Sequence, residues 1–354
     1  MLTEHNNRTA IDNIQHFLME IFMNLVKKGI CFTLFLAILL STTFVYATGQ
    51  NEKIIKQQSK PGSQAGLIKP ITKTLNFVFI PKVIHPWYDI VEEGAIAAAA
   101  ELEAMGIKIN IKFDAPPQAD IVEHMKKIEA NISMRPDGLA ISSLDPATNK
   151  QLINDAINAG LNVITFDTDA PDSKRVLYVG HNKDYNDGFA LGEYLAKKIG
   201  HKGKVGILSG SLSAPNHVGR VKGFKAAIAQ YSNIKIVFER PDNDDLQKAV
   251  ELTENALQAN SDLAGIFGCN ASNPIGAARA VKSANKAGKI HIVGMDDLEE
   301  TMQLIKEGVI DATMAQRQWE IGYWSVIYML AMNQNHTIPS EHATGSRIIT
   351  AQDL

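Results

Sequence analysis

Residues 138–167, GLAISSLDPATNKQLINDAINAGLNVITFD, hold the pattern that decides the fold of this chain. GLAIS (138–142) is a short apolar run typical of a buried strand, and NVITFD (162–167) is another. Between them, residues 149–159 have the spacing of an amphipathic helix, which Gly160 ends. A strand, a helix and a second strand in this order form a βαβ unit, and such units build parallel sheets with right-handed crossovers.

The same alternation continues on both sides of this unit. Further strands are predicted at residues 76–80, 107–113, 204–209, 234–239, 264–268, 290–295 and 312–316. Helices are predicted at residues 88–105, 118–134, 185–199, 217–231, 246–259, 274–287, 298–306 and 319–332. These strands are too many for one compact half. The sequence therefore predicts an α/β protein with two doubly wound parallel-sheet lobes, divided near residues 179–183.

The composition excludes several classes of protein. The chain has 354 residues, of which 45% are hydrophobic and 21% are charged, the balance of a globular protein. Its net charge of −3 gives no electrostatic footprint for nucleic acid, so no nucleic-acid partner is expected.

The N-terminal region carries the features of a secretory signal peptide. Lys27 and Lys28 precede the apolar run GICFTLFLAILL, and a Val-Tyr-Ala sequence ends at Ala47. We predict that residues 1–47 are a signal peptide cleaved after Ala47, that the true start is Met23, and that the mature protein is periplasmic. The alternative is a transmembrane anchor, but the apolar run is shorter than the ~20 residues that a spanning helix needs.

The segment after the predicted cleavage site is polar. Residues 48–74 are rich in Lys, Gln, Ser, Gly and Pro, a composition typical of a flexible leader. Beyond it, Cys269 is the only cysteine, so no internal disulfide can form. Cys269 lies beside an apolar run and is predicted to be a small buried side chain.

Polar and aromatic side chains follow nearly every predicted strand. In open α/β sheets, ligands bind outside the carboxyl ends of the strands. Aromatic faces pack against the C–H face of a sugar ring, and carboxylates, amides and guanidinium groups make paired hydrogen bonds to vicinal hydroxyls. The pattern therefore indicates a polyhydroxylated ligand, and the candidate ligand-binding residues are His85, Trp87, Tyr88, Asp167, Asp169, Asn216, Arg220, Asn270, Asp296 and Gln316.

Each candidate also has a purely structural interpretation. The two aromatics could pack in a core, and the aspartates could belong to turns or helix caps. Asn270 could be an N-cap, and Arg220 could be a solvated helix charge. Their common position at one predicted edge of both sheets favours binding.

Catalysis is not expected from this sequence. The motifs HExxH, GxxxxGK[ST] and CxxC are missing, and the Gly/Ser stretch after residue 205 does not fit the GxSxG motif. His85 with Asp167 and Asp169 could in principle bind a metal or act in acid–base chemistry. Because no second His and no Glu completes this group of three residues in a recognisable motif, we predict no enzyme activity, no metal and no cofactor.

Six segments resemble the ribose-binding-protein branch of the type I periplasmic solute-binding family, over about residues 75–354. They are HPWY, VITFD, RVKGF, GCNASNPIGAARA, VGMDD and ATMAQ, which begin at residues 85, 163, 220, 268, 293 and 312. The resemblance implies that an aromatic of HPWY stacks on the ligand. It also implies that hydrogen bonds to the ligand come from Asp167, Arg220, Asn270, Asp296 and Gln316.

Two departures from the family pattern argue against ribose itself. Ribose binders carry Arg directly after the first-lobe Asp, whereas this chain has Thr168 followed by Asp169. This Asp-x-Asp arrangement is closer to relatives that bind other sugars or the furanose-like signal autoinducer-2. Where ribose binders bring a stacking Phe from the second lobe, this chain offers Asp244.

The resemblance further implies three chain crossings between the lobes, near residues 179–183, 316–317 and 343–345, which form a three-strand hinge. The first lobe would then comprise 75–180 and 317–344, and the second 181–316 and 345–354. The expected function is that of a monomeric periplasmic binding protein that captures a monosaccharide or polyol and delivers it to an ABC transporter permease. The alternative is a receptor that presents a sugar or an autoinducer-2-like signal to a sensor kinase or chemoreceptor.

Overall fold

The computed structural model describes residues 67–181 and 183–354. The predicted signal peptide, the predicted start and most of the predicted leader lie outside these residues. The described residues belong to one compact unit, Pro61–Leu354.

Strands and helices alternate along the described chain. The strands are β1 (Leu75–Ile80), β2 (Ile109–Phe113), β3 (Gly138–Ile141), β4 (Val163–Phe166), β5 (Tyr178–Gly180), β6 (Gly203–Leu208), β7 (Ile234–Arg240), β8 (Leu263–Gly268), β9 (His291–Met295), β10 (Ala312–Gln316), β11 (Glu341–Ala343) and β12 (Ser346–Thr350). The helices are α1 (Pro86–Ala104), α2 (Ile121–Ser133), α3 (Pro146–Asn158), α4 (Asp184–Lys198), α5 (Pro215–Ile228), α6 (Leu246–Ala259), α7 (Ser272–Ser283), α8 (Glu299–Lys306) and α9 (Gln318–Asn333).

The strands form two six-stranded sheets, each of which is the centre of one lobe. The order is β11-β5-β4-β3-β1-β2 in the first lobe and β12-β10-β9-β8-β6-β7 in the second. All neighbouring strands are parallel except β10 and β12, which pair antiparallel. The prediction of two doubly wound lobes is confirmed. Because β11 joins the first sheet and β12 the second, the chain passes between the sheets after β5, after β10 and between β11 and β12.

Three strands were not predicted from the sequence. β5 and β11 have only three residues each, and β12 is the edge strand of its sheet. The three residues of β5 and of β11 are too few for an apolar alternation to stand out.

Helix starts also differ from the sequence prediction, for a local reason. α3 begins at Pro146 rather than 149, because the Asp145 side chain accepts hydrogen bonds from two backbone amides of the first turn. Proline is favoured in the first turn of a helix, where its missing N–H is not needed. Pro86 and Pro215 begin α1 and α5 in the same way.

The central strands are buried on both faces. Every residue of β3 and β4 is buried, as expected for parallel strands covered by helices on both sides. Cys269, after β8, is also fully buried, in agreement with its prediction as a small core side chain. Across residues 67–181 and 183–354, the helices lack the combination of length and apolar content that crossing a membrane requires.

Candidate functional site

The carboxyl ends of strands from both sheets open onto one cavity between the lobes. The space among the surrounding side chains, including the part open to solvent, is about 340 Å³. The first lobe contributes Lys82, Val83, His85, Trp87, Tyr88 and Asp167 to its wall. The second lobe contributes Asn216, His217, Arg220, Asp244, Asn270, Ala271, Asp296 and Gln316.

Three aspartates of this wall share an unusual backbone conformation. Asp167, Asp244 and Asp296 have φ angles of 55°, 62° and 72°, in the left-handed region. Among residues other than glycine, Asp is one of the few that enter this region readily. Asp167, Asp244 and Asp296 follow β4, β7 and β9 in the chain, and all three line the cavity.

Asp167 is the most heavily bonded of the three carboxylates. Its Oδ2 accepts hydrogen bonds from Tyr88 Oη at 2.7 Å, Ser142 Oγ at 2.7 Å and Thr168 Oγ1 at 3.1 Å. Lys82 Nζ lies 3.4 Å from the same oxygen. Burial acts to raise the pKa of Asp167, but Lys82 and these hydrogen bonds outweigh burial and lower it. Asp167 is therefore ionised at neutral pH, and no described donor reaches its Oδ1.

Asp296 has a different electrostatic environment. Its Oδ1 accepts from Trp87 Nε1 at 2.7 Å and from Gln316 Nε2 at 2.6 Å. Burial raises the pKa of Asp296 to about 6, despite the opposing charge of Arg220. The amide oxygen of Gln316 is buried and has no hydrogen-bond donor among the described residues. A ligand hydroxyl that donates a hydrogen bond to Gln316 Oε1 would satisfy this oxygen.

Arg220 is held in the second lobe by a buried network. It is 2% exposed, and its Nε donates to Asp184 Oδ1 at 3.0 Å while its Nη1 donates to the Cys269 carbonyl at 3.1 Å. Burial disfavours the charge, yet Asp184 and then Asp296 hold the pKa of Arg220 above its usual value. Arg220 is thus a fixed cation and not a solvated helix charge. Its Nη2 also lies 3.3 Å from His181 Nε2, and the side chain lines the cavity.

The second lobe holds a pair of neighbouring acids, Asp242 and Asp244, of which one lines the cavity. Burial, followed by the charge of Asp244, raises the pKa of Asp242 to about 6. Asp242 serves the local fold, because its carboxylate accepts from Gly210 N at 3.0 Å and from Asn270 Nδ2 at 3.3 Å. Asp244 instead lines the cavity, and its Oδ2 is buried without a donor among the described residues.

Side-chain hydrogen bonds between described residues join the lobes around the cavity. Trp87 Nε1 bonds Asp296, as described above, and His85 Nε2 lies 2.9 Å from Ser272 Oγ. Lys82 Nζ makes a longer bond of 3.4 Å to Asn216 Oδ1. The molecule therefore has a closed arrangement, in which residues of both lobes contact the same small volume.

The structure places nine of the ten predicted site residues on the cavity wall and leaves out Asp169. The Asp169 carboxylate faces Arg175 in a two-point ion pair, with N···O distances of 2.9 and 2.6 Å. It also accepts from Thr165 Oγ1 at 2.6 Å and from its neighbour's backbone amide. The prediction that Asp169 contacts ligand is at odds with this geometry, because its carboxylate is used to fix the loop after β4.

Asn270 lies on the wall but is largely used by the protein itself. Its Oδ1 accepts from the backbone amide of Asn273 at 3.0 Å, in the first turn of α7, and its Nδ2 donates to Asp242. The capping interpretation raised from the sequence thus describes part of its role.

Sequence reasoning left Lys82, His217 and Asp244 out of the site. Lys82 comes two residues after β1, so the rule that ligands bind at strand ends, applied strictly, would have included it. His217 follows the predicted Asn216 directly, and its pKa is lowered well below the usual value, first by burial and then by Lys82. Within the described ranges, His, Cys, Asp and Glu form no group of three or more that could hold a metal ion.

Comparison with known proteins places the chain in a family. Residues 77–336 match the periplasmic binding protein domain. The ribose import binding protein RbsB of Haemophilus influenzae is 30% identical over 246 residues, which cover 69% of this chain and 80% of that protein. The crystal structure of GanP, a glucose-galactose binding protein from Geobacillus stearothermophilus, matches with a TM-score of 0.74 at 32% identity, covering 80% of this chain and 99% of that chain.

A third match is the XylFII-LytSN complex, with a TM-score of 0.73 at 29% identity, over 80% of this chain and 100% of that chain. The relatives are binding proteins and not enzymes, in agreement with the prediction from the sequence. The chain therefore belongs to the periplasmic binding protein family, in the ribose-binding branch that its sequence resembles.

Proposed function

We propose that this protein is a periplasmic sugar-binding protein that closes its two lobes around a neutral monosaccharide or polyol. The observation that carries the proposal is a set of unsatisfied hydrogen-bond acceptors on the wall of one cavity. Asp244 Oδ2 and Gln316 Oε1 are buried without a donor among the described residues. Asp167 accepts its hydrogen bonds through Oδ2 and Asp296 through Oδ1, so the other oxygen of each carboxylate receives none from the described side chains. A ligand that donates several hydrogen bonds, as a sugar does, would satisfy them.

The charges of the cavity favour a ligand without net charge. The acidic side chains of Asp167, Asp244 and Asp296 share the cavity wall with the two basic side chains of Lys82 and Arg220. Sugar acids and sugar phosphates would add negative charge to a site that already has an excess of it. Trp87 and Tyr88 supply aromatic surface on the first-lobe side, and each is held by a hydrogen bond to a site aspartate, Asp296 for Trp87 and Asp167 for Tyr88. Either ring is a candidate for the stacking residue.

Ligand binding would shift the population towards the closed form. Residues of both lobes line the cavity, so a ligand can contact all of them only when the lobes are together. The hinge would lie at the three chain passages, with lobes of residues 75–180 and 317–344, and 181–316 and 345–354. This division is supported by the membership of β11 in the first sheet and β12 in the second.

We further propose that the closed form, secreted to the periplasm through the signal peptide and acting as a monomer, delivers its sugar to the permease of an ABC transporter. The similarity to the ribose import binding protein supports a role in sugar import. A second candidate function is presentation of the sugar to a sensor protein, which the similarity to the XylFII-LytSN complex favours.

Binding can be tested by calorimetry and thermal unfolding with D-ribose, D-allose, D-arabinose, D-glucose, D-galactose and xylitol. A sugar at ~100 times its dissociation constant should add roughly 2.7 kcal/mol to the free energy of unfolding. Asp167→Asn should abolish or greatly weaken that stabilisation. Asp169→Asn is the matched control, because this aspartate lies two residues away and off the cavity. This variant should keep the stabilisation by sugar. Absence of any stabilisation across the panel by folded protein would refute the proposal.

Transport and sensing can be separated in the cell. In the source bacterium, deletion of the gene should abolish uptake of the radiolabelled sugar identified above, and the wild-type gene should restore it. Uptake that persists after deletion, together with loss of sugar-induced transcription, would favour the sensor function.

A further inference from the structure

A buried ammonium and a buried carboxylate face each other across the cavity without forming an ion pair. Lys82 follows β1 in the first lobe and is 4% exposed. Asp244 follows β7 in the second lobe, and its side chain is 11% exposed. Both line the cavity, yet no nitrogen–oxygen distance of 4.0 Å or less joins these two described residues. The gap between them is therefore wider than a direct hydrogen bond.

Neither group has a full set of close partners. Lys82 Nζ lies 3.4 Å from Asp167 Oδ2 and 3.4 Å from Asn216 Oδ1, whereas charge-assisted N–H···O bonds are typically about 2.7–2.9 Å long. Asp244 Oδ1 is 3.7 Å from His217 Nε2, and Asp244 Oδ2 has no donor among the described residues. Buried charges with such long contacts are costly unless another group completes their coordination.

The other basic groups nearby do not neutralise Asp244. Burial lowers the pKa of His85 and lowers that of His217 still further, so both rings are neutral at neutral pH. Arg220 is engaged by Asp184 and the Cys269 carbonyl. Burial raises the pKa of Asp244, and the strongest charge opposing that rise is Lys82. The two groups thus interact across a gap and not through a shared hydrogen bond.

We propose that one ligand hydroxyl lies between Lys82 and Asp244, accepts a hydrogen bond from Lys82 Nζ and donates one to Asp244 Oδ2. The inference rests on the proposed function and narrows it. A hydroxyl is both donor and acceptor, whereas a carbonyl, an ether or a carboxylate cannot donate and an ammonium group cannot accept. The pair therefore selects a sugar with a free hydroxyl at one position. Because the two residues belong to different lobes, this hydroxyl links the lobes only in the closed form.

The test compares the tightest-binding sugar of the panel with its monodeoxy and monodeoxyfluoro analogues at every hydroxyl position, by calorimetry on the wild-type protein. At one position, both replacements should weaken binding by at least about tenfold, because neither hydrogen nor fluorine can donate to Asp244. Tolerance of fluorine at every position would overturn the inference, and this measurement does not depend on any variant.

Two variants then locate that hydroxyl. Lys82→Met and Asp244→Asn should each bind the parent sugar more weakly than wild type does. Each should also lose most of the discrimination against the analogues altered at that same position, while keeping discrimination at the others. The controls Lys126→Met and Asp262→Asn change exposed residues and should leave the wild-type pattern unchanged. Circular dichroism verifies that each variant is folded.

The outcomes separate this inference from the proposed function. A sugar that binds, but whose discrimination is unchanged in both variants or is lost at different positions in the two, would refute the bridging hydroxyl alone. Failure of the wild-type protein to bind any sugar of the panel would refute both.

Discussion

Asp167→Asn should destabilise the free protein as well as weaken ligand binding. The substitution removes the negative charge beside Lys82, which stays buried 3.4 Å away. Breaking a buried ion pair by removing one partner typically costs 3–5 kcal/mol. The hydrogen bonds from Tyr88 and Ser142, both 2.7 Å long, also lose their charge assistance, a loss of about 1 kcal/mol each. Since the ion-pair contact is long, we take its loss at the lower limit, about 3 kcal/mol, and with about 2 kcal/mol for the two hydrogen bonds we expect a total of roughly 5 kcal/mol.

The assay is urea unfolding of ligand-free protein, followed by fluorescence, for wild type, Asp167→Asn, Lys82→Met and the double variant. The double variant removes both charges and fills the space with an apolar side chain, so it should be more stable than Asp167→Asn alone by at least about 1 kcal/mol. Lys126→Met, which breaks an exposed pair with Glu123, should leave the free energy of unfolding close to that of wild type. A loss below about 1 kcal/mol for Asp167→Asn, or no recovery in the double variant, would refute the assignment of a buried pair.

Three further expectations follow from the site. Asp296 has a pKa of about 6 in the folded protein against 3.8 for an ordinary Asp, so its charging should destabilise the free protein as the pH rises between these values. Sugar affinity should rise over the same window, because hydroxyls donate to the charged form. Calorimetry of Asp296→Asn should show both trends weakened, and part of the stability trend should remain because Asp242 also has a pKa of about 6. Asp169→Ala should lower the free energy of unfolding by about 1–3 kcal/mol, since Arg175 loses its partner, while the sugar dissociation constant stays within about twofold. Cys269 should resist a thiol reagent in the native protein and react fully in urea, because the side chain is buried and burial raises its pKa; rapid labelling of native protein would contradict its position.

The central part of the fold could be predicted from the sequence because it repeats a strong local pattern. The unit β3-α3-β4 shows apolar runs bounded by turn residues, and the same rhythm recurs in the second lobe. The strands β5 and β11 could not be predicted in this way, since three residues carry no periodicity. Their place in the sheet is decided by pairing with a distant neighbour, which no local pattern records.

The site could be predicted to the extent that it follows from topology. Parallel strands bring their carboxyl ends to one edge, which is why Asp167, Arg220 and Asp296 lie around one cavity. Asp169 was misplaced because its orientation depends on Arg175, six residues later, and on the shape of the intervening loop. Lys82 was missed because a lysine is rarely buried, and its burial here depends on contacts with both lobes.

The left-handed backbone at three cavity aspartates restricts how this site can be retargeted to a new ligand. Most substitutions at these positions would remove a hydrogen bond of the carboxylate and also place the new residue at an unfavourable positive φ. Only Asn and Gly fit this backbone as readily as Asp. In a library that randomises all wall residues equally, many variants would therefore fold poorly. Diversity placed at Trp87 and Asn216, which lie in helices with ordinary geometry, would alter the shape of the cavity while the aspartates keep a fixed polar frame.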